Sequence, residues 1–117
     1  MALIRCSSGS GGGSSTIKKY TLDNISIPKS GGTYSFTISD LNEIIVMELG
    51  TKWGNVYTFY TDNDSIVSGA YKFKYFNSSK VWATSTSISM TKSGNVFTLN
   101  NTDSGYAANV SLIVYYT

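Results

Sequence analysis

Short segments in which apolar and polar residues alternate recur along most of this 117-residue chain, and clusters of turn-forming residues separate them. Residues 33–38 place Tyr34, Phe36 and Ile38 on one face, which is the pattern of a half-buried strand. Residues 107–116 alternate in the same way and are long enough for a central strand, while residues 92–95 form a strong hairpin signal. The pattern predicts an all-β fold. We expect an antiparallel β-sandwich of about eight strands, of immunoglobulin-like or jelly-roll type.

One segment, residues 43–49, fits two structures. Asp40 and Glu43 have the spacing of a helix capping box, and Gly50 could end a helix. Against this, residues 44–46 are three β-branched side chains in a row, and their restricted χ1 angles favour a strand. We predict a strand buried on both faces and keep the helix as the alternative.

The N-terminal part of the chain differs in composition from the rest. Residues 1–6 form a short segment that is apolar and basic. Residues 7–15 consist only of Gly and Ser, which gives a flexible linker. Residues 16–117 form the β domain, so we expect one folded domain with an extended N-terminal arm. The candidate docking residues of this arm are Met1, Ala2, Leu3, Ile4, Arg5 and Cys6.

Composition argues against several classes of partner. Charged residues make up 14% of the chain and the formal net charge is +2, so the basic stripe of a nucleic-acid binder is not expected. No apolar run approaches the ~18 residues that span a bilayer, and the start is too short for a secretory signal peptide. Cys6 is the lone cysteine, which leaves no internal disulfide. We expect neither a nucleic-acid nor a membrane partner, and assembly in the cytoplasm without signal-peptide secretion.

The reactive side chains are few. Histidine is absent, which removes the commonest general base and metal ligand. Six of the seven carboxylates fall in or beside predicted turns, where solvation or capping is the usual role. Asp62, Asn63 and Asp64 resemble the start of a calcium loop, but Ile66 and Val67 stand where that loop needs an Asx residue and Gly. We therefore predict no enzymatic activity, no metal and no cofactor.

Aromatic residues are the remaining candidates for a binding site. In residues 70–76, alternation places Tyr71, Phe73 and Tyr75 on one face, with Lys72 and Lys74 on the other. We favour a core role for these rings over base or sugar stacking, because binding to bases needs cations and rings on one face. We also prefer the core for Trp82, and leave Trp53 open between core and ligand. The candidate ligand or receptor aromatics are Trp53, Tyr57, Tyr75 and Tyr106.

The start of the chain, Met1-Ala2-Leu3-Ile4-Arg5-Cys6 followed by the Gly/Ser run, resembles the openings of small virion proteins of tailed bacteriophages. The hairpin of residues 87–100 and the closing segment of residues 110–116 are similar in style. The resemblance implies a non-enzymatic accessory component: a capsid decoration protein, a head fibre, or a tail or baseplate appendage. It implies capsid or tail proteins as partners. It also implies a homo-oligomer or multiple copies in an assembly, and location in the virion. The alternative is a carbohydrate-binding β-sandwich module that attaches to a host-surface glycan.

Overall fold

The computed structural model describes residues 16–53 and 55–117, and for residues 52, 53 and 55–57 it describes only the backbone. These residues form strands and one short 3₁₀ turn at Asn63–Ser65. The strands are β1 (Lys18–Ile27), β2 (Gly32–Thr37), β3 (Ile44–Trp53), β4 (Asn55–Thr61), β5 (Ile66–Val67), β6 (Ala70–Phe76), β7 (Trp82–Ser93), β8 (Val96–Asn101) and β9 (Ala108–Tyr116). The prediction of an all-β fold is confirmed for this part of the chain, with nine strands rather than about eight.

The strands form one antiparallel sheet that is nearly closed into a barrel. The order is β1-β9-β3-β4-β6-β7-β8-β2, and β5 pairs with β6 beside this path. The two end strands lie close together. The ring of Tyr20 on β1 stacks on Phe36 of β2 with 5.3 Å between ring centroids. Phe36 stacks in turn on Phe97 of β8 at 5.1 Å. The expected sandwich of two separate sheets is not confirmed. Alternation predicts strands, but it does not predict how a sheet curls.

Within the predicted segment of residues 43–49, residues 44–49 belong to a strand, as predicted. β3 lies between β9 and β4, and Met47 and Leu49 point into the core with no exposed surface. Its other face, which includes Glu48, is only half-buried, so burial on both faces is not observed. The register with β9 shifts between Ile44 and Val46, which places one extra residue on β3 as a β-bulge.

The core lies inside the curled sheet. β9 is central, between β1 and β3, and its inward side chains Val110, Leu112 and Val114 are fully buried. Burying one such side chain stabilises the fold by about 1.5–3 kcal/mol. The other strands contribute large buried side chains to the same core: Ile27, Met47, Leu49, Phe73, Ile88, Met90, Phe97 and Leu99.

β7 is one long strand with an irregular centre. The strand runs from Trp82 to Ser93. Its register against β6 changes between Lys72 and Lys74, and the hydroxyl of Ser85 accepts hydrogen bonds from the backbone N–H groups of Ser87 and Ile88 at 3.3 and 3.2 Å. Thus a side chain satisfies backbone donors where the ladder is interrupted.

The hairpin between β7 and β8 is confirmed. Ser93 pairs with Val96, so Gly94 and Asn95 form a two-residue turn. Gly94 has a φ of 60°, which glycine adopts without a steric penalty.

Candidate functional site

The structure locates only some of the predicted site residues. The docking arm, Met1 to Cys6, and the linker, residues 7–15, lie outside the described residues. The backbones of Trp53 and Tyr57 pair within the β3–β4 hairpin, but their side chains are outside the described part as well. Tyr75 and Tyr106 are the two predicted aromatic residues whose side chains are described.

Tyr75 and Tyr106 have different surroundings and lie on different elements. Tyr75, on β6, is half-buried and packs edge to face against Phe59 of β4, with 5.2 Å between ring centroids. Tyr106, in the loop between β8 and β9, is 71% exposed. Tyr75 is therefore placed to support the core, whereas the ring of Tyr106 is accessible to a partner.

The loop that carries Tyr106 is braced by two polar side chains. The buried carboxamide of Asn101 donates to the carbonyl oxygens of Ile27 and Tyr106, at 3.2 and 3.1 Å, and accepts from the N–H of Asp103 at 3.1 Å. The carboxylate of Asp103 accepts from the N–H groups of Gly105 and Tyr106, at 2.7 and 3.2 Å. These bonds hold the loop backbone in one conformation, so the exposed ring sits on a fixed support.

A second group of aromatic rings lies on the outer face of the sheet, and we name it the aromatic cluster: the exposed Phe76 and Trp82 and the half-buried Tyr60. Phe76 and Trp82 are cross-strand partners on β6 and β7, with 5.4 Å between ring centroids and planes inclined by 62°. Tyr60 of β4 also packs against Trp82, with 6.2 Å between ring centroids and planes inclined by 69°. Edge-to-face packing of this kind is favourable for aromatic pairs. Even so, Phe76 is 52% and Trp82 49% exposed, so much of their apolar surface faces water.

Sequence reasoning missed the aromatic cluster and preferred the core for Trp82, which is wrong. The signal was present in the alternation of β6: Tyr71 and Phe73 are buried, as predicted, so Phe76 must point outward with Lys74. Because Trp82 pairs with Phe76, it shares that outward face. The pairing itself could not be read from the sequence.

The residues that suggested a calcium loop form a hydrogen-bonded 3₁₀ turn. The carboxylate of Asp62 accepts from the N–H of Asp64 at 3.0 Å and from the hydroxyl of Ser65 at 3.2 Å. Asn63 donates to the carbonyl oxygen of Ile44 at 2.9 Å and accepts from the phenol of Tyr71 at 3.0 Å. Burial raises the pKa of Tyr71 above its ordinary value. These polar groups hold the turn against β3 and β6.

A third polar group joins the ends of the domain. Tyr116 near the C-terminus donates to Asp40, and the ammonium of Lys18 forms an ion pair with the same carboxylate at 3.1 Å. The hydrogen bond from Tyr116, followed by that from Lys18, lowers the pKa of Asp40. The same bond to Asp40 raises the pKa of the Tyr116 phenol. Lys18 also lies 5.7 Å from the centroid of the Tyr116 ring, within cation–π range.

Over residues 16–53 and 55–117, no group of three or more His, Cys, Asp or Glu side chains is placed to hold a metal ion. Within the same ranges, no helix is long and apolar enough to cross a bilayer. No protein-family model, curated protein or solved structure matches the chain.

Proposed function

We propose that the chain is a non-enzymatic accessory component of a tailed-bacteriophage virion, present in multiple copies and attached to capsid or tail proteins through residues 1–6. A capsid decoration protein, a head fibre and a tail component all fit this proposal. The β domain would then be displayed on the Gly/Ser linker, with a β-sandwich or closely related barrel as its architecture. Its support in the sequence is the apolar arm, the linker and the resemblance of the opening residues to small virion proteins.

The proposal rests on which described side chains bond within the domain and which remain accessible to a partner. The carboxylates of Asp62 and Asp103 cap the backbone of their own loops, and Asp40 bonds to Tyr116. The accessible features are instead aromatic surfaces, at Tyr106 and in the aromatic cluster. Exposed aromatic rings suit contact with another macromolecule. This distribution favours a binding or structural role over catalysis.

The test is incorporation of the tagged full-length chain into particles during infection. We expect the chain in purified particles, and we expect its loss when Leu3→Asp and Ile4→Asp place two charges in the apolar arm. The matched control is Ser7→Asp with Ser8→Asp, which adds the same charges to the linker and should leave incorporation intact. Absence of the unmodified chain from particles, or normal incorporation of the arm variant, would contradict the proposal.

Glycan binding is the second candidate, and the exposure of Tyr106 favours it. A ring that is 71% exposed on a hydrogen-bonded loop can stack on a sugar without first being ordered. We expect hits on a glycan array that disappear in Tyr106→Ala and persist in Tyr106→Phe, which keeps the ring. An array that stays silent at high protein concentration argues against this candidate.

A further inference from the structure

The first part of β7 has one edge without a neighbouring strand in the described chain. Residues 82–84 pair with β6 on one side, but pairing with β8 on the other side begins only at Ile88. Thr102 covers the next stretch, because its N–H donates to the carbonyl of Ser87 at 2.8 Å and its hydroxyl to that of Thr86 at 3.0 Å. Among the described residues, the backbone edge of residues 82–85 is left without a strand partner on this side. We call it the open edge.

The open edge lacks two of the features that normally prevent strand edges from pairing with other chains, namely charged side chains and proline. Residues 81–91 contain no charged residue and no proline. The end strand β1 is different, since it carries Lys18 and Lys19, a register shift between Leu22 and Ile25, and Pro28 just beyond it. The two edges of the sheet thus differ in charge and in proline content, and the open edge is the uncharged one.

The aromatic cluster lies beside the open edge. Trp82 is the first residue of that edge, and Phe76 is its cross-strand partner on β6. Val81, the residue before β7, is also exposed. An unpaired backbone edge flanked by accessible apolar side chains is the arrangement used in β-strand addition, in which the backbone supplies hydrogen bonds and the side chains supply apolar contact.

We propose that the open edge pairs antiparallel with the open edge of a second copy, about a two-fold axis. An uncharged edge meets its own copy without repulsion, and antiparallel pairing makes the two surfaces self-complementary. Both backbones gain hydrogen bonds, and the exposed face of each Trp82 is brought towards the neighbouring copy. The inference goes beyond the proposed virion role, because this pairing needs neither the arm nor a particle. Failure of one proposal therefore leaves the other standing.

Sedimentation equilibrium of the full-length chain over a wide concentration range tests the pairing. We expect a monomer–dimer equilibrium. Thr84 is exposed at the middle of the open edge, so Thr84→Lys places like charges across the axis and weakens association by about tenfold. Thr84→Glu weakens it similarly for the same reason. Mixing the two variants restores association, because the facing charges are then opposite.

The matched control is Thr91→Lys, which makes the same change at an exposed position of β7 that is paired on both sides. It should associate like the unmodified chain. A chain that stays monomeric throughout, an equal effect of Thr91→Lys, or no recovery on mixing would overturn the proposal. Loss of association in the Leu3→Asp, Ile4→Asp variant would overturn it too, because the arm would then be the occupant of the edge.

Discussion

The phenol of Tyr116 donates a hydrogen bond of 2.9 Å to the carboxylate of Asp40, joining residues 76 positions apart in the chain. The bond fixes the end of β9 against the loop between β2 and β3. Backbone bonds reinforce it: the N–H groups of Asn42 and Glu43 donate to the carbonyl of Thr117, at 2.7 and 3.1 Å, and the N–H of Thr117 donates to Glu43 at 2.9 Å. The last residues of the chain are therefore an integral part of the sheet.

Asp40 makes stability depend on pH in the acid range. Its pKa in the folded protein is lower than the ordinary value of 3.8, because Tyr116 and Lys18 bond to the ionised form. The folded chain therefore holds the proton less tightly than the unfolded chain. This stabilisation is fully present above about pH 3.8 and is lost as the pH falls through the lower folded pKa.

We expect Asp40→Asn to destabilise the domain at pH 6 and to have a smaller effect at pH 2.5, in urea unfolding followed by circular dichroism. Asp64→Asn is the control, because the Asp64 carboxylate has no hydrogen bond within the described residues. A difference between the unmodified chain and Asp40→Asn that does not change with pH would show that the carboxylate charge is irrelevant.

Thr61 on β4 carries a buried hydroxyl for which the described residues provide no hydrogen-bond partner. A buried polar group without a partner is unfavourable, and Val has nearly the same shape without the hydroxyl. We expect Thr61→Val to raise the free energy of unfolding by about 1 kcal/mol. Thr58→Val, at an exposed position of the same strand, should change it by less than about 0.5 kcal/mol. Destabilisation by Thr61→Val, measured by chemical denaturation, would mean that the hydroxyl is bonded.

Asn101 connects the loop of Tyr106 to the end of β1 through a fully buried carboxamide. Replacing it by Ala leaves the carbonyls of Ile27 and Tyr106 and the N–H of Asp103 without this partner. We expect Asn101→Ala to lower the free energy of unfolding by about 3 kcal/mol and to speed hydrogen exchange in the loop. The exposed Asn109 gives the control, Asn109→Ala, which should be close to neutral. Equal effects of the two substitutions would rule out a special role for the buried carboxamide.

Local patterns in the sequence were sufficient for individual strands and one turn. The alternation in residues 33–38 corresponds to β2, and the Gly94-Asn95 turn joins β7 to β8. For residues 43–49, the β-branched side chains predicted a strand and the capping-box pattern a helix, and the structure has a strand from Ile44. Each of these features depends on neighbours close in the chain, so its physical cause is visible in a short window.

The arrangement of the strands was not predictable in the same way. The sheet comes close to closure at the contact between Tyr20 and Phe36 on its two end strands. β1 and β3 show register shifts against β9, which is distant from both in the chain. The aromatic cluster likewise depends on the cross-strand pairing of Phe76 with Trp82. Residue type alone favoured burial for Trp82, and only the pairing reveals that it faces outward.

Two glycines give a prediction about backbone space. A Cβ on Gly32, at the start of β2, would collide with the carbonyl oxygen of Pro28 and lie 2.7 Å from the Pro28 Cβ. At Gly50, in the middle of β3, a Cβ would meet nothing within 4 Å. The two positions differ in the space available, and neither glycine has a positive φ.

We expect Gly32→Ala to lower the free energy of unfolding by at least about 2 kcal/mol, because the turn that joins β1 to β2 must open to admit the methyl group. Gly50→Ala should be neutral or stabilising by up to about 1 kcal/mol, because alanine reduces the freedom of the unfolded chain and finds open space in the sheet. Thermal and urea unfolding of both variants check this contrast. If Gly32→Ala were tolerated as well as Gly50→Ala, the close approach of Pro28 to β2 would be wrong, and with it the path by which the chain passes from one end strand of the barrel to the other.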